Sequence, residues 1–278
     1  EVGRRLGVHR LVPLRRPTAE PGGPAWPVRS TLVPRAPTSV RPERLVPTFS
    51  IASFNALWGL TVDHEPFDLI GAIDGFDADV VSLQEVWEPT AGPNVLDRVT
   101  SELGYHVVRV PLSPSTLHPL PQITSDIGVA TGTWGIALAS RFPITQVKIV
   151  DLGRLVERWD VADRYAPMVE LDVGGTPVTV TAVHLSFVLP NAAAQLRRLN
   201  ALLPAHQPSV VAGDCNLWGP LAAAALSGHR RAVRARTWPV GRPHSQLDHL
   251  LVSEHVDVCS SEVLAPAGSD HLPVRAVL

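Results

Sequence analysis

Short apolar runs, each closing on an acid, an amide or a histidine, constrain this chain more than any other feature. Val210-Val211-Ala212 leads through Gly213 into Asp214-Cys215-Asn216, Phe54 precedes Asn55, Leu83 precedes Gln84-Glu85, Val183 precedes His184, and Leu247 precedes Asp248. Runs this short and apolar read as buried strands. A polar side chain at a strand terminus can project into a crevice instead of the core, and a glycine beside Asp214 lets another group approach the backbone closely. The chain must therefore build sheets that gather polar groups at their ends.

The spacing predicts strands over Thr48–Asn55, Asp79–Leu83, Tyr105–Val110, Trp134–Ala139, Gln146–Val150, Met168–Val173, Pro177–His184, Ser209–Gly213, Leu247–Ser253, Val256–Leu264 and Leu272–Leu278. Pro66–Ile73 reads as a short helix with proline at its start. Val95, Leu96, Val99 and Leu103 follow helical spacing, and Ala192–Leu203 reads as a helix capped by Asn191. Gly174-Gly175 is a two-residue hairpin signal. Hairpins and crossover helices thus mix in one chain, which predicts an α/β protein with two packed, mixed or antiparallel sheets and helices outside. Pro111–Thr133 and Asp151–Arg164 lack a pattern, and loops of that length are usually functional or mobile.

Residues 1–48 differ in kind. Nine prolines, nine arginines and three glutamates give this head about +6 and no periodic apolar face, so it is expected to be a disordered basic segment ahead of a folded domain over 49–278. The rest carries fifteen Lys and Arg against twenty-three Asp and Glu, about −8. A net-acidic body argues against gripping long duplex DNA through many phosphates, while leaving local arginine clusters open. Only Cys215 and Cys259 occur, so no disulfide framework is implied. No stretch is apolar enough to span a membrane and no signal-peptide pattern stands at the start, which favours a cytoplasmic setting.

With Leu247-Asp248-His249-Leu250 and Ser269-Asp270-His271-Leu272-Pro273 added, the ordered motifs from Thr48 to Leu278 resemble the endonuclease/exonuclease/phosphatase superfamily, the DNase I-like metal-dependent phosphoesterases. That resemblance implies a four-layer α/β sandwich with the site at one end of the paired sheets. It also implies Glu85 as a metal ligand, Asn55 holding the metal site or its water, and Asp270 as a second metal carboxylate. His271 would be the general base, oriented by Asp248. Asp214 and Asn216 would position the attacking water and the phosphate, and His184 would stabilise a phosphoryl oxygen or protonate the leaving group. Hard oxygen ligands suit Mg2+ or Mn2+, and no Cys/His set has zinc spacing.

Other residues carry less. Arg164 and Tyr165 precede the strand pair leading to His184 and are candidates to touch phosphate. His249 falls on the opposite strand face from Asp248 and reads as packing, and Cys215 reads as a packing residue. Trp58, Trp159 and Trp218 are candidates to line a cleft, although buried aromatics are the commoner case. The expectation is a phosphoesterase hydrolysing a phosphodiester of unidentified substrate by direct in-line attack of water. The alternatives are a DNA or RNA nuclease of the same fold, with nucleic acid as partner, and a non-catalytic binding module.

Overall fold

In a computed structural model, which describes residues 47–114, 132–156, 160 and 162–278, period-two alternation along the central strands sorts their side chains between two environments. The basic head up to residue 46, Trp159 and most of the stretch between Pro111 and Thr133 lie outside the described residues. In β1 (Ser50–Asn55), Ile51 faces the partner sheet and Ala52 and Phe54 face the helices. The same division recurs in β2 (Val80–Pro89), with Val80 inward and Val81 and Leu83 outward.

One sheet joins β1 and β2 to β3 (His106–Pro114), β4 (Gly132–Ser140), β11 (Ser260–Val263) and β12 (Val274–Val277), in the order β11-β12-β1-β2-β4-β3. The second contains β5 (Ile144–Asp151), β6 (Tyr165–Val173), β7 (Thr176–His184), β8 (Ser209–Asp214), β9 (His229–Arg231) and β10 (Asp248–Ser253), in the order β5-β6-β7-β8-β10-β9. Each sheet has one parallel pair at its centre, β1 with β2 and β7 with β8, flanked by antiparallel neighbours.

The inward faces meet in a core that includes Phe49, Ile51, Val80 and Leu138 from one sheet and Val169, Val180, Val210 and Leu250 from the other. Helices α1 (Leu69–Gly75) and α2 (Val95–Leu103) cover the first sheet through Ile70, Ile73, Leu96 and Val99. Helices α3 (Leu189–Asn200) and α4 (Pro220–Ala225) cover the second through Ala192, Leu196, Leu199 and Ala222. The layers run helix, sheet, sheet, helix, the four-layer sandwich expected.

Element boundaries differ from the sequence reading where local chemistry decides them. α1 begins three residues after Pro66, because the Asp68 side chain accepts from Gly71 N at 2.9 Å and caps it there. Asn191 caps nothing: α3 starts earlier, with Pro190 in its first turn. The buried Asn191 Oδ1 instead accepts from Leu155 N and Val156 N, at 2.9 and 2.8 Å, and its Nδ2 donates to Val156 O. Gln195, one turn on, donates to Gly153 O and accepts from Ser186 N. These two amides tie down the described part of the segment after β5 that lacks periodicity. β3 continues through Pro111 to Pro114, which a sheet edge with a bulge tolerates. The last-but-one strand shortens to Ser260–Val263, and α4 and β9 are too short to have shown a period.

Candidate active site

The inward face of each central strand turns from apolar to polar toward one end. β1 runs Ile51, Ser53, Asn55; β2 runs Val80, Ser82, Gln84; β7 runs Val180, Ala182, His184; β8 runs Val210, Ala212, Asp214; antiparallel β10 runs in reverse, Val252, Leu250, Asp248. Parallel pairing aligns the carboxyl ends of β7 and β8, placing His184 opposite Asp214, and antiparallel β10 brings its first residue, Asp248, to the same level. These side chains therefore meet between the sheets at one end of the sandwich.

Two backbone irregularities complete the convergence. Alternation alone would send Glu85, next to inward-facing Gln84, toward the helices. A β-bulge between Leu83 and Val86, with Glu85 at φ +52°, turns it back to the cleft. Gly213 lies at φ +152°, and a Cβ there would collide with the carbonyl oxygen of Val183 on β7, so only glycine lets β7 and β8 run together up to Asp214.

Asn55 Nδ2 sits 3.2 Å from both Glu85 Oε1 and Asp214 Oδ2 and donates to them. Its Oδ1 accepts from Leu57 N at 3.1 Å. Asp214 Oδ1 accepts from Asn216 N at 2.8 Å, and the Asn216 side chain donates to Leu185 O. His271 Nδ1 lies 2.9 Å from Asp248 Oδ2, and its Nε2 lies 3.9 Å from Asp214 Oδ2. Thr237 Oγ1 holds the start of β10 by accepting from Leu247 N and Asp248 N.

Electrostatics follow from packing so many acids into a buried place. Burial, with repulsion from Asp248 and Glu85, pushes Asp214 up to about 7 against the opposing His271 charge. Glu85 is also raised, chiefly by burial. Burial opposes a charge on His271, but the carboxylates of Asp248, Asp214 and Asp270, with the Asp248 hydrogen bond, outweigh it and raise the imidazole to about 10. His184 is held well below its ordinary value by burial, Arg164 and His271. Its 3.7 Å approaches to Glu85 and Asp214 are thus contacts of a neutral ring and not ion pairs. Burial and the neighbouring acids push the Cys215 thiol well up, which leaves it inert packing.

The remaining expected residues are placed unevenly. Asp270 stands at the margin: its Oδ2 accepts from Trp238 Nε1 at 2.9 Å, and Ser269 Oγ donates to its other oxygen at 3.3 Å. Arg164 lines the cleft, but its guanidinium already pairs with buried Asp160 at 3.3 Å, lies over the Trp134 ring and reaches His184 O. Tyr165 packs with the Trp87–Trp134 cluster and is not in the cleft lining. His249 faces outward as expected, its Nε2 against Leu217 O at 2.9 Å. The cleft, about 780 Å³, has Trp58, Trp134, Trp218 and Trp238 in its walls with Phe187 and Leu189 at its mouth. Trp238, Thr237 and Asp160 carried no sequence signal, since each sits in a segment without periodicity.

A divalent cation suits this donor set. Glu85, Asp214, Asp248 and Asp270 all act electrostatically on the same place, and among the described residues the buried Asp248 Oδ1 has no hydrogen-bond partner. Asp214, Asp248 and His271 offer ligand atoms within 4.8 Å of one another. Carboxylate oxygens and an amide are the ligands of hard cations.

The family model described as Endonuclease/Exonuclease/phosphatase family matches residues 52–271. No curated protein sequence matches. Among solved structures, an endonuclease/exonuclease/phosphatase from Beutenbergia cavernae superposes with a TM-score of 0.65 at 24% identity, covering 83% of this chain and 71% of that one. A mannosyl-6-phosphatase from Bacteroides thetaiotaomicron gives 0.59 at 15% identity, over 83% of this chain and 99% of its own. A humanized TDP2 of D. rerio gives 0.58 at 15% identity, over 83% and 98%. At these identities the superpositions speak for the fold, while the family match spans most of the sequence: the chain belongs to the endonuclease/exonuclease/phosphatase family.

Proposed function

We propose that this protein is a divalent-metal-dependent hydrolase that cleaves a phosphodiester by direct in-line attack of water. The observation that carries this reading is the buried Asp248–His271 pair, 2.9 Å apart, whose free Nε2 opens toward Asp214 inside the cleft. Glu85 and Asn55, with Asp270 from the cleft margin, would hold Mg2+ or Mn2+. Bound there, the cation supplies Lewis-acid neutralisation of phosphoryl charge.

In the metal-free cleft His271 holds its proton at neutral pH, at a value of about 10. A cation held by Glu85 and Asp270 would oppose that charge and lower the value, so that in this reading the neutral Nε2 takes the proton of the attacking water, while Asp248 accepts the Nδ1–H and stabilises the imidazolium. Asp214, steadied by Asn216 N, orients that water, and Asn216 positions the phosphate. The neutral His184 ring, held edge-on to Trp134 with centroids 5.7 Å apart, is suited to donate a hydrogen bond to a phosphoryl or leaving oxygen. Arg164, committed to Asp160, serves more to fix the His184 backbone than to grip substrate.

A panel in Mg2+ tests the proposal: a chromogenic bis-ester, plasmid DNA, RNA and sphingomyelin. Turnover of at least one diester, abolished by EDTA and restored by Mg2+, is expected. Undiminished turnover in chelator would refute the metal-dependent mechanism, and DNA or RNA as the sole substrate would move the reading to a nuclease.

A further inference from the structure

The acidic body contains one concentrated exception. His229-Arg230-Arg231-Ala232-Val233-Arg234-Ala235-Arg236 places four arginines in eight residues. Three of them, Arg231, Arg234 and Arg236, line an open cavity of about 640 Å³ together with His244 and Gln246. No acid is among the side chains that line it, in contrast to the catalytic cleft with Glu85, Asp160 and Asp214.

The arginines are set and available. Arg231 Nη1 donates to Gln246 Oε1 at 2.8 Å, and the buried Gln246 is itself anchored by donating to Val233 O at 2.9 Å. Gly219, at φ +34°, makes room for that guanidinium, since a Cβ there would lie 2.9 Å from Arg231 Nη1. Arg234 and Arg236 are exposed, and among the described residues neither is paired with a carboxylate. Planar guanidinium groups lining one space match the oxygens of a phosphate.

The cavity adjoins the catalytic cleft. Trp218, 57% exposed, lines both. On the other flank His244, in the arginine cavity, meets the Trp238 ring at 5.5 Å, and Trp238 meets the His271 ring at 6.3 Å. An extended ligand can therefore lie across Trp218 with one phosphate at His271 and another among the arginines.

We propose that the Arg231–Arg234–Arg236 cavity binds a second phosphate of the substrate, one that is not hydrolysed, so that the preferred substrate is a phosphodiester bearing a further phosphate. The proposal rests on the phosphodiesterase reading for its substrate, but the pocket itself is testable without turnover. In metal-free protein the catalytic cleft is acidic and repels anions, so inorganic phosphate titrated calorimetrically in EDTA reports the arginine cavity. One saturable site is expected, weakening as salt rises and at least about tenfold weaker in the Arg234→Gln, Arg236→Gln double variant. Absence of saturable binding, or equal binding by the variant, would overturn the pocket.

The second arm compares KM values in Mg2+ for thymidylyl-thymidine with and without a 5′-phosphate, and for glycerophosphoinositol with and without a ring phosphate. The added phosphate should lower KM by about tenfold in one pair, and the pair that responds tells a nucleotide strand from a phosphorylated headgroup. The double variant should lose that gain while hydrolysing bis(p-nitrophenyl) phosphate as wild type does. No gain in either pair would overturn the substrate class. Absent turnover of every diester would instead refute the phosphodiesterase reading, leaving the phosphate titration to decide the pocket.

Discussion

The most discriminating consequence of the acidic cluster is that a cation and a proton compete at Asp214. Its carboxyl lies at about 7 when folded, against an ordinary 3.8. A raised folded value means the metal-free native state holds this proton more tightly than the unfolded chain. The associated stability is present in full below the ordinary value and is lost as pH rises through about 7. A cation beside Glu85 is favoured by the ionised Asp214 carboxylate, so its binding improves over that same window. With about 3% of molecules deprotonated near pH 5.5 and about 90% near pH 8, the difference is roughly 30-fold, or about 2 kcal/mol. At saturating Mg2+ that difference enters the unfolding free energy directly, and for a domain of this size corresponds to about 4–8 °C. We expect the Mg2+-induced rise in melting temperature, measured by scanning calorimetry against EDTA at each pH, to be larger near pH 8 by that amount. Comparing metal-bound with metal-free protein at one pH cancels titrations of the unfolded chain. In metal-free protein His271 stays protonated through this range, because its value there lies at about 10, so any proton it gives up to a cation adds to the rise with pH and does not reverse it. Asp214→Asn should flatten the pH dependence. An equal shift at both pH values, or a larger one in acid, would refute the reasoning.

His271→Ala should lower turnover about a hundredfold or more, and Asp248→Asn should be damaging too. The double variant should be little worse than the worse single, and multiplicative losses with unchanged circular dichroism would hand the base role to Asp214 or His184. Gly213→Ala should destabilise the fold by about 3 kcal/mol in urea denaturation, through strain and collision with Val183 O, and a loss below about 1 kcal/mol would contradict that packing. Trp238→Phe keeps a ring near His271 but removes the donor to Asp270, so a stability loss of about 1 kcal/mol is expected at neutral pH. No measurable loss would show that this hydrogen bond contributes nothing and assign Trp238 to packing alone.

Local sequence determined the materials. Period-two alternation in Thr48–Asn55, Pro177–His184, Ser209–Gly213 and Leu247–Ser253 fixes which residues share a face, because successive side chains on a strand point oppositely; hence His249 could be read as packing, on the face opposite Asp248. Gly174-Gly175 marked its hairpin, and both residues adopt the positive φ such a turn needs. Helix ends were less legible, since a cap is set by one side chain's choice of partner: Asp68, not Pro66, starts α1, and Asn191 serves the neighbouring loop. Tertiary structure alone decided convergence. Twenty-three residues separate Asp248 from His271, and only sheet order brings them to 2.9 Å. Alternation predicts the wrong face for Glu85, and only the bulge opposite β4 corrects it. The raised values at Asp214 and His271 belong to no residue singly, because they arise when several acids are buried together, and burial and proximity are properties of the folded chain.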